Sequence, residues 1–319
     1  MSKFKEDQRR IQYELLGTPV FYGDHGNGKH KGRVYPFVLK DGDANIYAPI
    51  LEHSKKYFLE NKISWWAGVK PSGHILSSQI ACINHLMPFM HDADSVLRML
   101  NGVSNEFIEV LPIPCDKTPA YIGFEIVGDG DYLNEALSTR GSQCTSIDAF
   151  IYARHKSGKM WIIPIEWKYT EHYYAKDLSI EDRCDEPKGF GGKGKERQRR
   201  YNDLITNSTI LKTPQVYQGS VYYQEPFYQL MRQTLLAEQM IWHNEFEAVD
   251  YLHIHVVPKR NEALLLRKYK VTGKDMETSW RDCLTNQSKY VIIDPQDLLS
   301  PIIDSNPDLK QYLCTRYWQ

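Results

Sequence analysis

The sequence predicts an α/β fold, a mixed central sheet flanked by helices, with a core order of α, β, β, β, α, β. Two observations carry this. Three consecutive segments are rich in β-branched and aromatic residues and are separated by turn formers: 121–127 (YIGFEIV), 146–154 (SIDAFIYAR) and 159–169 (KMWIIPIEWKY). They stand between a helical stretch that begins near Ser77 and a second, strongly periodic one at 226–247. The latter leads into a strand at 251–257 (YLHIHVV) closed by Pro258.

The remaining elements follow in chain order. Residues 1–16 are charged and weakly helical. Residues 17–50 are rich in Gly, Asp and Tyr and read as loops with short strands. Residues 50–61 look helical, and WWAGVKPSGH is turn-rich. Ser77 or Ser78 is placed to cap the helix SSQIACINHLMPFM, and a further helical piece covers 93–100. Pro164 suggests an edge position or a bulge for the third strand, because proline cannot donate to a ladder. Residues 170–220 are polar and irregular, and the last 50 residues alternate short strands and helices. No repeat or low-complexity linker forces a boundary. The expected organisation is one domain over 1–319, with an N-terminal elaboration (1–64), a core (65–257) and a C-terminal extension (258–319).

The 319 residues are 42% hydrophobic and 25% charged, ordinary for a soluble globular chain. The formal net charge is −1, so any nucleic-acid binding must rest on local patches. The six cysteines are scattered without CxxC or zinc-ligand spacing and read as mostly buried thiols of a reducing compartment. There is no signal-peptide pattern and no apolar run long enough to span a bilayer, so the expectation is a cytoplasmic protein with no membrane partner.

The chemistry lies in the hairpin between the second and third strands. A three-residue loop, Lys156 to Gly158, puts Gly158 at the left-handed position such loops favour. In that register Asp148 lies directly opposite Glu166, with Cβ atoms about 5 Å apart. Lys168 follows by two and shares the face, while Ile165 and Trp167 point into a core on the other side. A two-residue loop would send Asp148 and Glu166 to opposite faces. Two carboxylates so placed suit a hard cation such as Mg²⁺, with Mn²⁺ as a substitute, and the Trp167 carbonyl is a further oxygen ligand. The plain structural reading of the same residues is a solvated cross-strand ion pair. The acid-x-Lys spacing does not decide between them, since Glu60-Asn-Lys62, Glu186-Pro-Lys188 and Asp308-Leu-Lys310 share it.

The segment SIDAFIYARHKSGKMWIIPIEWKYTE resembles the core of the PD-(D/E)XK nuclease superfamily, which includes many type II restriction endonucleases. The stretches SSQIACINH, IEWKYTE and FYQLMRQTLLA are similar, more narrowly, to a bacterial restriction-endonuclease-like branch. The likeness spans roughly 65–257. It implies a restriction-endonuclease-like αβββαβ core and metal-dependent hydrolysis of double-stranded DNA. Asp148, Glu166 and Lys168 match the superfamily's catalytic positions one by one. Ile147 stands where the superfamily often has proline. Cutting both strands would suit a homodimer. The rival readings are a repair, recombination or mobile-element nuclease with the same centre, or an inactive DNA-binding module.

Further residues are candidates in supporting roles. Glu135 and Glu125 are possible additional acids, and otherwise solvated surface. Gln229 and Gln233 share a helix face; in related nucleases a Gln on this helix approaches the catalytic Lys or a phosphate. Gln79 is similar on the first core helix. The run KGFGGKGKERQRR reads as a flexible basic loop, with Lys193, Lys195, Arg197, Arg199 and Arg200 as possible DNA contacts. It formally fits GxxxxGK, but Glu196 follows where a phosphate-binding loop needs Ser or Thr. His253 and His255 share a strand face but lack an evident third soft ligand for zinc. The aromatic residues, including 21 tyrosines, could stack on bases, though most read as packing.

Overall fold

The computed structural model describes residues 2–66, 68–114, 119–136, 140–141, 144–181 and 192–319. Helix α1 (Lys3–Glu14) precedes a small hairpin, β1 (Gly28–His30) and β2 (Arg33–Tyr35), and α2 (Leu51–Glu60). Ser77 caps α3 (Ser78–Leu86) by accepting from Ile80 N, and Asp92 caps α4 (Ala93–Val103). Four strands follow: β3 (Phe107–Leu111), β4 (Gly123–Ile126), β5 (Ile147–His155) and β6 (Met160–Trp167). Then come α5 (Gly192–Asn207), α6 (Phe227–Trp242), β7 (Ala248–Tyr251) and β8 (His253–Val256). The chain continues through α7 (Glu262–Leu265), α8 (Met276–Cys283), β9 (Tyr290–Ile293), α9 (Pro295–Leu299) and α10 (Pro307–Arg316). The strand β3 and the break of 251–257 into two pieces at Leu252 go beyond what the sequence indicated.

Seven strands form one mixed sheet in the order β3-β5-β6-β8-β9, with β4 also beside β5 and β7 also beside β6. β5 and β6 are antiparallel, whereas β6, β8 and β9 run parallel. The β5–β6 turn is the expected one. Gly158 adopts φ +79, His155 N donates to Lys159 O at 2.9 Å, and Gly158 N donates to His155 O at 2.8 Å. The register pairs Arg154 with Met160 and Ala149 with Ile165. The pairing ends at Ala149–Ile165, so Asp148 and Glu166 are the next residues on the two strands.

Pro164 does not mark an edge: β6 lies at the centre of the sheet. Antiparallel hydrogen-bonded pairs alternate, and counting from His155 and Lys159 puts Pro164 at a position whose nitrogen faces away from β5. On that side β6 changes partner, from β7 at Met160–Ile162 to β8 at Ile165–Trp167. The missing N–H therefore falls in the gap between two ladders.

Each sheet face buries its own core. Ala149, Ile151, Ala153, Ile163, Ile165 and Trp167 pack with α2, α3, α4 and the chain ends. Phe150, Tyr152 and Ile162 pack with α5, α6 and α8. Strand alternation thus puts Glu166 on the α6 side. It breaks at the end of β5, where Ile147 joins the α6-side core, and Asp148 lines both the large cavity beneath α6 and a small space with Phe58, Cys82 and Phe124. Among the described cysteines Cys82 and Cys283 are buried and Cys314 is exposed; Cys115 and Cys184 lie outside the described residues. No helix among the described residues is long and apolar enough to cross a membrane.

Candidate active site

At the Asp148 end of the β5–β6 hairpin a cavity of about 540 Å³ is lined by Asp148, Glu166, Trp167, Lys168 and Glu125, among others. Glu166 is 2% exposed and Lys168 6%. Lys168 N continues the ladder by donating to Val256 O at 2.9 Å, which fixes the side chain two residues on from Glu166 on the same face. The Lys168 ammonium contacts Glu166 Oε1 and donates to Gln229 Oε1. Gln233 Nε2 donates to Glu166 Oε2 and, at 3.2 Å, to Ser146 O. The two glutamines, one helical turn apart on α6, therefore each hold one member of the Glu-x-Lys pair. Neither is a surface stripe: Gln233 is 4% exposed.

Trp167 N donates to Asp148 Oδ2 at 2.8 Å. The N–H and C=O of one strand residue project from the same edge, so the Trp167 carbonyl lies on the Asp148 edge too. Glu125 falls opposite Asp148 on the other side, between the pairs Phe124–Ala149 and Ile126–Ile147. It has φ +52, an uncommon conformation for glutamate. Its carboxylate is tied down by Ser146 Oγ at 2.6 Å and Gln79 Nε2 at 2.7 Å. Three acids from three adjacent strands thus face one cavity.

This crowding sets the electrostatics. Burial, reinforced by Glu166 and Glu125 and opposed by Lys168, pushes the Asp148 carboxyl well above its usual range. Burial also raises Glu125, with Glu166 adding to it against hydrogen bonds from Ser146 and Gln79. Burial works against the Lys168 ammonium, yet Glu166, Tyr173 and Asp148 hold its pKa well above the ordinary value. A cation would relieve the clustered negative charge, and the all-oxygen donor set suits a hard one. Among the described residues no group of three or more His, Cys, Asp or Glu is arranged to hold a metal alone. Any cation here would complete its shell with the Trp167 carbonyl, substrate oxygens and water.

Some expectations fail. Glu135 does not join the carboxylates. It accepts from Thr145 N and Oγ1 (2.5 and 2.7 Å), Tyr201 Oη (2.6 Å) and Arg232 (3.0 Å), and its side chain does not line the cavity. Its role is to seat Arg232, whose side chain lines the cavity. The basic run is no flexible loop from Gly192 onward but helix α5; Lys188 to Gly191 lie outside the described residues. Gly194 is accommodated because its backbone lies against Ser179, whose carbonyl a Cβ would meet at 2.2 Å. Arg197 pairs with Glu181, and Arg199 and Arg200 pair with Glu196. None of these three, nor Lys193 or Lys195, lines the cavity.

Other participants were not foreseen. Glu225, two residues before α6, also lines the cavity, and its Oε2 is buried with no hydrogen-bond partner among the described residues. His253 Nε2 contacts Gln233 Oε1 at 3.1 Å, so the imidazole orients the amide that holds Glu166. Burial lowers this histidine to about 3, so it is neutral. His255 pairs with Glu166 across the sheet and contacts Tyr290 Oη at 2.7 Å. The polar stripe at 229 and 233 was the available signal for Gln233; His253 and His255 were marked only as a same-face pair weighed for zinc, and nothing local marks Glu225.

A family model, Restriction Endonuclease associating with ARP, matches residues 21–318. No curated protein and no solved structure matches the chain.

Proposed function

The chain belongs to this restriction endonuclease family, and on that premise we propose that it is a Mg²⁺-dependent endonuclease of the PD-(D/E)XK type acting on double-stranded DNA. The observation that carries the reading is the hairpin register, which brings Asp148 beside Glu166 and Lys168 under α6. Asp148, Glu166 and the Trp167 carbonyl are the proposed cation ligands. Bound there, Mg²⁺ or Mn²⁺ supplies Lewis-acid chemistry, lowering the pKa of water and stabilising charge on phosphoryl oxygens.

The protein's own groups do the rest. Asp148 spends Oδ2 on Trp167 N–H and keeps Oδ1 for a ligand. Glu166 accepts one bond on each oxygen, from Lys168 and Gln233, and each oxygen has a second lone pair. Lys168 stays protonated and sits where negative charge would develop on a phosphate in the cavity. Arg232, seated by Glu135, is a second fixed cation on the wall. Lys193 and Lys195 on α5 are proposed as peripheral DNA contacts. The same reading takes 1–319 as one nuclease domain, with restriction as its biology and a homodimer as the form that cuts both strands. The family's description names an association with ARP, which we carry over as part of this proposal.

Lys168→Ala tests it. Cleavage of plasmid DNA in Mg²⁺ should fall by at least about 10²-fold, while affinity for DNA changes little. Undiminished metal-dependent cleavage by this variant overturns the assignment.

A further inference from the structure

The wall of the cavity opposite α6 is built from the N-terminal part of the chain. His30, at the end of β1, stacks on Trp66 with ring centroids 5.5 Å apart and planes at 21°. His74 supports His30 edge-on at 5.3 Å, and the Lys31 ammonium lies 5.7 Å from the Trp66 ring. His30, Trp66 and His74 all line the same cavity as Asp148 and Glu166.

Trp66 is 58% exposed although it lies at the rim of a polar cavity. A large aromatic left open there, backed by a second ring, is poorly explained by packing. Its position is also tied to the acids. Trp66 N donates to Gln79 Oε1 at 2.9 Å, and Gln79 Nε2 donates to Glu125 Oε1 at 2.7 Å. One glutamine side chain thus ties the Trp66 backbone to the Glu125 carboxylate. With the Lys31 ammonium over the indole, the pair matches a nucleotide whose base stacks on the ring and whose phosphate takes the ammonium as its partner.

We propose that Trp66, backed by His30, is a stacking platform for an unpaired nucleobase next to the scissile phosphate. The favoured substrate is then DNA with a single-stranded, frayed or extruded nucleotide at the cut. The proposal rests on the nuclease reading above. A base within an intact duplex is already stacked on its neighbours, so the platform acts only on a base that has left the helix. It narrows that reading to duplexes in which one nucleotide is unpaired or leaves the helix at the cut.

The test uses the full chain in buffer free of divalent cations. Affinities are measured by fluorescence anisotropy for a labelled single strand, a duplex carrying one unpaired base, and the fully paired duplex of the same sequence. Trp66→Ala should weaken binding to the first two about tenfold and leave the third unchanged. Trp66→Phe, which keeps a π-face, should retain most of the affinity. Thermal melts of both variants check the fold. Equal losses on all three DNAs, or no loss on any, overturn the platform. If the unmodified chain binds none of the three, the DNA-cutting reading fails and the platform with it. If the Trp66 effect appears but Mg²⁺ and Mn²⁺ elicit no cleavage, the platform stands and the catalytic reading fails.

Discussion

Asp148 is a carboxyl group kept in an environment that resists its charge, and this has a measurable consequence. Its folded pKa lies above its unfolded one, through burial and the neighbouring Glu166 and Glu125. A group so raised favours the folded state at low pH and loses that contribution as pH rises from the unfolded carboxylate range, about 3.9, through the folded value. At neutral pH the metal-free chain therefore carries an electrostatic cost at this position. Asp148→Asn keeps an acceptor for Trp167 N–H and removes the charge. It should raise the metal-free Tm at pH 7 by about 1–2 °C, the shift of roughly 1 kcal/mol for a chain of this length. Below about pH 4 the difference should vanish. Mg²⁺ should raise the Tm of the unmodified chain and leave that of the variant unmoved. Scanning calorimetry across pH with and without Mg²⁺ checks all three, and a lower Tm for the variant at pH 7 would contradict the account.

At the scale of elements, the site depends on a turn and on a helix face. Gly158 has φ +79 with open space around the position of a Cβ, so Gly158→Ala meets backbone strain alone. It should cost about 1 kcal/mol in urea titration and leave cleavage intact. Deleting Ser157 is different in kind. It shortens the loop, shifts the strands by one residue and sends Asp148 and Glu166 to opposite faces, so cleavage should be lost. On α6, Gln233→Leu leaves the buried Glu166 Oε2 without its donor. About 1–3 kcal/mol of stability should go with it, and cleavage should fall about 10–100-fold, as when second-layer partners of a metal ligand are removed.

This scale also explains what could be read from the sequence. Asp148, Glu166 and Lys168 were legible because a hairpin's loop length dictates which residues share a face, and the Gly158 signal is local. Glu125 was legible only as a candidate acid beside Glu135, because its approach to Asp148 depends on a left-handed glutamate that no residue pattern announces. Pro164 misled because its tolerance depends on where β6 changes partner, a property of β7 and β8 as well. The basic run misled because its glycines suggested flexibility, whereas Gly194 in fact allows α5 to approach Ser179.

Over the whole molecule, the two ends of the chain meet behind the Glu-x-Lys strand, a long-range arrangement with no trace in local periodicity. Arg316 on α10 is fully buried. It donates to Gln12 Oε1 at 3.1 Å, to Asn45 O at 2.8 Å, to Asn45 Oδ1 and to Tyr312 Oη at 2.5 Å, and lies over the Phe21 ring at 4.6 Å. Gln12 in turn donates to Tyr169 Oη, which donates to Gln8 Oε1 at 2.6 Å. Tyr169 is the residue after Lys168, so this clamp bears on the backbone that carries the proposed catalytic lysine. Hydrogen bonds from a charged donor contribute about 1.5–3 kcal/mol, and stranded buried acceptors add to the loss. Arg316→Ala should therefore destabilise the chain by about 3 kcal/mol or more in a denaturant titration. Arg316→Lys should recover only part of this, because an ammonium cannot reproduce the planar fork that reaches Gln12 and Asn45 together. At temperatures well below its melt, the alanine variant should show a lower kcat for DNA cleavage with KM little changed, since the clamp touches Tyr169 and not the cavity's rim. A loss in KM alone would mean that the clamp supports substrate binding and not the position of Lys168.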